Sequence, residues 1–201
     1  MSLYTVFGGK GFIGSEFVKQ LIELKHEIFI PERNDQSIYN KDLGIIIYAA
    51  GYGNCKTDPY NVLEANTILL NSLLKKASFE KIVYISSTRI YVNQESTLED
   101  CDLKICTNDE RRLFNLSKIL SEEICLKSKH SCLIIRPSNV YGLALNSSLF
   151  LPSIIRDAIS NKSVNMYVTP SYSKDYILVD DLVSATLSLI SSGVTGIINV
   201  A

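Results

Sequence analysis

The sequence predicts an α/β protein: an open, doubly wound parallel sheet with helices on both of its faces. Three observations carry this expectation. Short β-rich apolar runs alternate with longer segments of helical spacing. Several of those runs are almost continuously apolar, as strands covered on both sides are. A glycine-rich turn joins the first run to the first helical segment.

The strands are expected at residues 4–7, 27–30, 44–50, 81–86, 131–136 and 197–200. Between them, residues 15–25 place Phe17, Val18, Leu21 and Ile22 on one helical stripe, and residues 62–76 do the same with Leu69, Leu70, Leu73 and Leu74. Residues 110–127 carry Leu113, Leu120 and Ile124, and residues 181–191 carry Leu182, Ala185 and Leu189. A further helix is expected around 151–160. Strand–helix–strand units of this kind form right-handed crossovers in a parallel sheet.

With 201 residues, 46% of them hydrophobic, the chain can bury one sizeable core. The formal net charge of −1 offers nothing that attracts nucleic acid or an anionic membrane wholesale. Neither is an expected partner, and any bound anion must be held locally. No run of about 18 apolar residues is present, so no membrane span is expected. Met1 to Phe7 run straight into an apolar strand without the charged and apolar segments of a leader, and a cytoplasmic location is expected. The five cysteines show no CxxC spacing and the two histidines lie far apart, so free thiols and no metal are expected.

Gly8-Gly9-Lys10-Gly11-Phe12-Ile13-Gly14 follows the first strand and opens the first helix. Gly8, Gly11 and Gly14 allow a sharp turn and a close approach of main-chain amides to a pyrophosphate. The helix N-terminus behind Phe12 and Ile13 adds partial positive charge. Glu32, eighteen residues after Gly14 at the end of the second strand, is placed for a ribose diol. Arg33 and Lys10 would instead accept a 2′-phosphate, or are solvated surface cations. NAD and NADP both stay open.

From here the chain resembles the extended short-chain dehydrogenase/reductases that act on nucleotide sugars, with a Rossmann-type cofactor domain. Six motifs carry the resemblance in order: the glycine loop; Ile45-Ile46-Ile47-Tyr48-Ala49-Ala50-Gly51; Asp58-Pro59-Tyr60 with Glu64-Ala65-Asn66; Val83-Tyr84-Ile85-Ser86-Ser87-Thr88-Arg89-Ile90-Tyr91; Arg136-Pro137-Ser138-Asn139-Val140-Tyr141-Gly142; and Lys174-Asp175-Tyr176-Ile177-Leu178-Val179-Asp180-Asp181. The resemblance implies that Ala49, Ala50 and Gly51 lie beside an NAD(P) cofactor. It implies that Ser87 hydrogen-bonds the sugar oxygen undergoing redox and that Lys118 holds the nicotinamide ribose. Asn139 and Lys174 would face a nucleoside-diphosphate sugar. The implied activity is that of an epimerase, dehydratase or ketoreductase.

Three departures qualify that implication. The family's YxxxK falls on Phe114 and Lys118, so a benzene ring occupies the acid/base position. Loss of a positioned acid/base typically costs about 10²–10⁴ in rate. Ser87, Thr88 or a substrate hydroxyl would have to move the proton; otherwise the chain is a non-catalytic cofactor- or sugar-nucleotide-binding protein, or a regulator that senses NAD(P)H. Second, residues 34–43 leave room only for a loop or one helical turn, so one outer strand is expected to be missing and the adenine pocket to be more open. Third, residues 199–201 resemble a strand after which the family's substrate domain normally continues, so either the sequence is a piece of a longer chain or a reduced C-terminal substrate region is expected. The resulting division is a cofactor domain at 1–142, a partial substrate segment at 143–173 and a return to the sheet at 174–201.

Other features have plainer readings. Tyr91, Tyr141 and Tyr176 are expected in core or rim packing rather than stacked on a base or sugar ring, Asp180 or Asp181 at a helix N-cap, and Arg111 and Arg112 on a solvated face, with a phosphate contact as their alternative. The leucines of 62–76 either pack on the sheet or, as the resemblance implies, join the 110–127 helix in a homodimer contact.

Overall fold

The computed structural model describes residues 1–143, 150–166, 168–169 and 171–201. Six parallel strands form the central sheet: β1 (Leu3–Phe7), β2 (Glu27–Phe29), β3 (Ile45–Tyr48), β4 (Lys81–Ile85), β5 (Ser131–Pro137) and β8 (Gly196–Val200). Their order is β2-β1-β3-β4-β5-β8. Two short strands, β6 (Asn139–Tyr141) and β7 (Tyr176–Leu178), pair in parallel beyond the main sheet. Sequence patterning missed both, because three residues are too few to show a period.

Alternate residues of each strand face opposite layers, as a period of two requires. Ile45, Ile47, Val83, Ile85, Leu133 and Ile135 pack with Phe17 and Leu21 of helix α1 (Phe12–Glu23) and with Leu182, Val183 and Ile190 of α6 (Val179–Ser191). Ile46, Tyr48, Ile82, Tyr84 and Ile134 face the other way, onto Leu70, Leu73 and Leu74 of α3 (Leu69–Lys76) and Cys125 of α4 (Arg112–Lys127). The chain is therefore doubly wound, with helices on both faces. A further helix, α5, spans Phe150–Asn161. Part of the expected substrate segment at 143–173 lies outside the described residues.

Between β2 and β3 there is only one 3₁₀ turn, Gln36–Tyr39, capped by the Asp35 carboxylate accepting from the Ser37 amide at 2.8 Å. The outer strand is missing, as expected from the length of this segment, and β2 pairs only with β1.

The segment after β3 is one long helix with a fault in it. It begins as α2 (Pro59–Leu63), with Asp58 as N-cap and proline in the first turn, widens into a π turn at Glu64–Ile68, and continues as α3. Hydroxyl groups take up carbonyls at the widened turn: Tyr48 donates to the Ala65 oxygen at 2.6 Å and Ser121 to the Asn66 oxygen at 2.8 Å. Asp180 and Asp181 were expected at an N-cap. Both instead lie in the first turn of α6, whose cap is Leu178, without a side-chain hydrogen bond, so their charge acts on the helix dipole.

Helix α4 is fixed to β5 by a buried fork. Arg136 donates through Nε to Glu122 Oε1 at 3.1 Å and through its terminal nitrogen to Oε2 at 2.7 Å, and both residues are 3% exposed at the side chain. Ser86 donates to the same carboxylate, and Arg136 also donates to the Tyr91 hydroxyl and, at 3.1 Å, to the Glu99 carbonyl. Tyr91 is thus a packing residue, as expected.

Removing one member of such a pair leaves the other charge buried and unpaired. Arg136→Met is expected to cost about 3–5 kcal/mol, read as a lowered urea midpoint with an unchanged m-value.

Candidate active site

A groove of about 440 Å³ opens at the carboxyl ends of β1, β3, β4 and β5. Chain direction reverses there, since β1 leads outward to β2 and then back to β3, which is where open parallel sheets present ligand sites.

The glycine loop forms one wall. Gly8 has φ +79°, and a Cβ on it would lie 2.7 Å from the Ala49 carbonyl carbon and oxygen; a Cβ on Gly14 would lie 2.1 Å from the Gly8 oxygen. Both positions require glycine on sterics alone. Gly11 is the N-cap of α1 and offers no side chain to the first-turn amides, and Phe12 and Ile13 of that turn line the groove. Phe12, Ile13, Ala49 and Gly51 line the groove, whereas Ala50 packs against the core cluster that holds Tyr48. A dinucleotide pyrophosphate fits such a cradle.

Glu32 and Arg33 lie beyond β2, which ends at Phe29, and both are exposed. Glu32 forms an ion pair with Lys10, with both side chains about as open as surface groups can be. That pair is worth little, and a ribose diol must share the carboxylate with the lysine.

The loop after β3 is shaped by Asn66, which is fully buried. Its amide donates to the Tyr52 carbonyl at 3.0 Å and to Ser117 at 2.9 Å, while its oxygen accepts from the Tyr52 amide at 3.0 Å. The asparagine of the Glu64-Ala65-Asn66 motif therefore clips the loop carrying Gly51 to α4.

On α4, Phe114 and Lys118 project from one face one turn apart. Lys118 is 3% exposed and donates to the Ile85 carbonyl at 2.8 Å; its ammonium lies 4.7 Å from the centre of the Tyr84 ring. Burial pushes its pKa down to about 7, against the pull of Glu122 one turn on. Phe114 is buried, with the Arg111 guanidinium 4.6 Å over its ring.

Ser87 lies at the groove, and its oxygen accepts from the Arg89 amide at 3.1 Å, capping the 3₁₀ turn Thr88–Tyr91. Its own proton finds no acceptor among the described residues. Thr88, weighed beside it, gives its proton to the Pro137 carbonyl at 3.1 Å.

Asn139 lines the groove and donates to the Asp175 carbonyl at 2.9 Å. Lys174 is set apart, in an adjoining hollow of about 500 Å³, with its ammonium 5.2 Å from the Tyr172 ring centre. Tyr141 and Tyr176 meet edge to face at the rim. Groove residues that sequence reasoning did not single out include Arg89 and Ser138. Arg111, expected on a solvated face, is exposed, and it also borders the groove with its guanidinium over the Phe114 ring.

Residues 4–201 match the model of the NAD dependent epimerase/dehydratase family. The chain belongs to that family. A UDP-N-acetyl-alpha-D-glucosaminuronate decarboxylase of Bacillus cytotoxicus is 22% identical over 235 aligned positions, covering 97% of this chain and 73% of that protein. Among solved structures, MoeE5 in complex with UDP-glucose and NAD superposes with a TM-score of 0.84 at 19% identity, covering 99% of this chain and 76% of that one. A tyrosine-to-phenylalanine mutant of the UDP-glucuronic acid 4-epimerase of Bacillus cereus, in complex with NAD and a fluorinated UDP-sugar, superposes at 0.81 with 16% identity, covering 98% and 77%. The six-stranded sheet and its flanking helices are thus the fold of those solved structures.

The depressed Lys118 has a measurable signature. An unfolded lysine titrates near ~10.4, so between about pH 7 and that value the unfolded chain holds a proton that the folded one lacks. Stability from this residue therefore rises with pH across that window. The difference in urea midpoint between wild type and Lys118→Met is expected to shift in favour of wild type from pH 7 to 9; a constant difference would count against the assignment.

Proposed function

We propose that this family member binds a nicotinamide dinucleotide and a nucleoside-diphosphate sugar together in the groove, and that it performs epimerase, dehydratase or ketoreductase chemistry with altered acid/base machinery. The single observation that carries the reading is the convergence of the glycine cradle, buried Lys118 and free Ser87 hydroxyl on one groove. Residues 8–14 would hold the pyrophosphate. Glu32 or Arg33 would meet the adenosine ribose, and Lys118 the nicotinamide ribose, beside Ala49, Ala50 and Gly51. The cofactor, once bound, supplies a ring that accepts and returns hydride at a sugar carbon.

Ser87 is then the hydroxyl that donates to the reacting sugar oxygen, because its proton is uncommitted and that of Thr88 is not. Lys118, with a pKa about 7, is the nearby group able to gain or lose a proton at neutral pH. In this reading Phe114 fills the space of a tyrosine without its proton. Residues 1–142 form the cofactor domain, 143–173 cover the sugar, and 174–201 complete the sheet. Helix α5 and Asn139 belong to the sugar side, with Lys174 at its outer edge. The neighbours named above hold NAD and UDP-sugars, which supports NAD as the cofactor to try first.

A second reading rests on the same Phe114: a protein that binds both ligands without turnover. Calorimetric titration with NAD⁺, NADP⁺ and UDP-, dTDP- and GDP-sugars tests the shared part, and Phe114→Tyr separates the two. Wild-type turnover that rises by about 10²–10⁴ in Phe114→Tyr supports the enzyme. Saturable binding without any wild-type turnover supports the binder, and no binding of either dinucleotide removes both.

A homodimer is proposed through α2 and α4, whose Leu63, Leu116 and Leu120 are exposed, as is Ile68 in the π turn between α2 and α3. Leu120→Glu is expected to convert a dimer to a monomer in sedimentation equilibrium; a wild-type monomer at high micromolar concentration would refute this.

A further inference from the structure

The groove and the adjoining hollow share Ser87, Arg89, Arg111, Ser138 and Asn139. Two arginines thus lie at one junction, with the Asp109 carboxylate bound to the Arg89 guanidinium and to the Arg111 main-chain amide. That carboxylate is already spent: it accepts from Arg89 at 2.7 Å, from the Arg111 amide at 2.9 Å and from Asn115 at 2.8 Å. Asp175, the other acid bordering the hollow, meets Asn139 through its carbonyl.

Unused donors converge here. Ser138 is nine-tenths buried, and its hydroxyl finds no partner among the described residues; the same holds for Arg89 Nε. The exposed Arg111 side chain makes no hydrogen bond among the described residues and rests its guanidinium on the Phe114 ring. Buried polar groups without partners are costly, so Ser138 and Arg89 Nε beside an unengaged guanidinium mark a place where a ligand completes the set. Burial and repulsion from Arg89 both act against the charge on Arg111, which an arriving anion would relieve.

We infer that this junction binds a carboxylate carried on the sugar ring, so that the nucleoside-diphosphate sugar is a uronate. The inference rests on the proposed reading of the groove. A planar carboxylate takes the forked donors of arginine two at a time, with Ser138 as a third donor. Its place beside Ser87, where that reading puts the reacting carbon, assigns the charge to the sugar ring rather than to the diphosphate.

The test is calorimetric binding of UDP-glucuronic acid and UDP-glucose to the NAD⁺-loaded protein, for wild type, Arg111→Gln and Ser138→Ala. The uronate is expected to bind at least about tenfold more tightly than UDP-glucose. Arg111→Gln should remove most of that advantage while leaving UDP-glucose and NAD⁺ binding within about twofold, and Ser138→Ala should remove part of it. Retained NAD⁺ binding certifies that each variant folds. Equal affinity of wild type for the two sugars overturns the inference and leaves the sugar-nucleotide reading standing. An equal loss for both sugars in Arg111→Gln assigns the cation to the diphosphate and also overturns it. Binding of neither sugar removes the inference together with the reading beneath it.

Discussion

A carboxylate and a guanidinium can leave water together only if nearly every donor and acceptor on both finds a partner. Glu122 and Arg136 meet that condition through two mutual contacts, Ser86, Tyr91 and the Glu99 carbonyl. The consequence is positional. Glu122 lies one turn from Lys118 on α4, and Arg136 lies at the end of β5, two residues before Ser138. The fork therefore fixes the depth at which α4 presents its face to the groove. It does so from beneath, and its partners Ser86 and Tyr91 frame the turn that contains Ser87 and Arg89. Asn66 provides the complementary tie on the other side of α4, through Ser117.

Most of the frame was legible because its signals are local or periodic. The six sheet strands, the helices and the glycine turn follow from apolar runs, helical stripes and three glycines whose missing Cβ atoms the structure accounts for at Gly8 and Gly14. The missing outer strand was legible from length alone. What escaped was tertiary. Nothing in the pattern around Arg111 shows that this exposed arginine also lies over Phe114 at the groove. Likewise the π turn depends on hydroxyls from β3 and α4 that are distant in the chain, and the N-cap expected of Asp180 or Asp181 fell to Leu178.

The Phe114 ring gives the Arg111 guanidinium an aromatic face to lie upon. In the proposed reading, proton handling in the groove falls to Lys118 and Ser87, and the ring contributes shape. The buried ammonium, held by one carbonyl and the face of Tyr84, is close to balance between its two charge states at neutral pH.

The loss of the outer strand leaves β2 as a sheet margin with unsatisfied main-chain groups along its free side. Such a margin is an invitation to strand exchange between molecules when it is long and flat. Here it is three residues long, begins with the exposed Glu27, and carries the Lys41 ammonium 3.8 Å above the Phe29 ring. The abbreviated sheet therefore ends in a charged, stubby border on which an intruding chain could form only a ladder too short to persist.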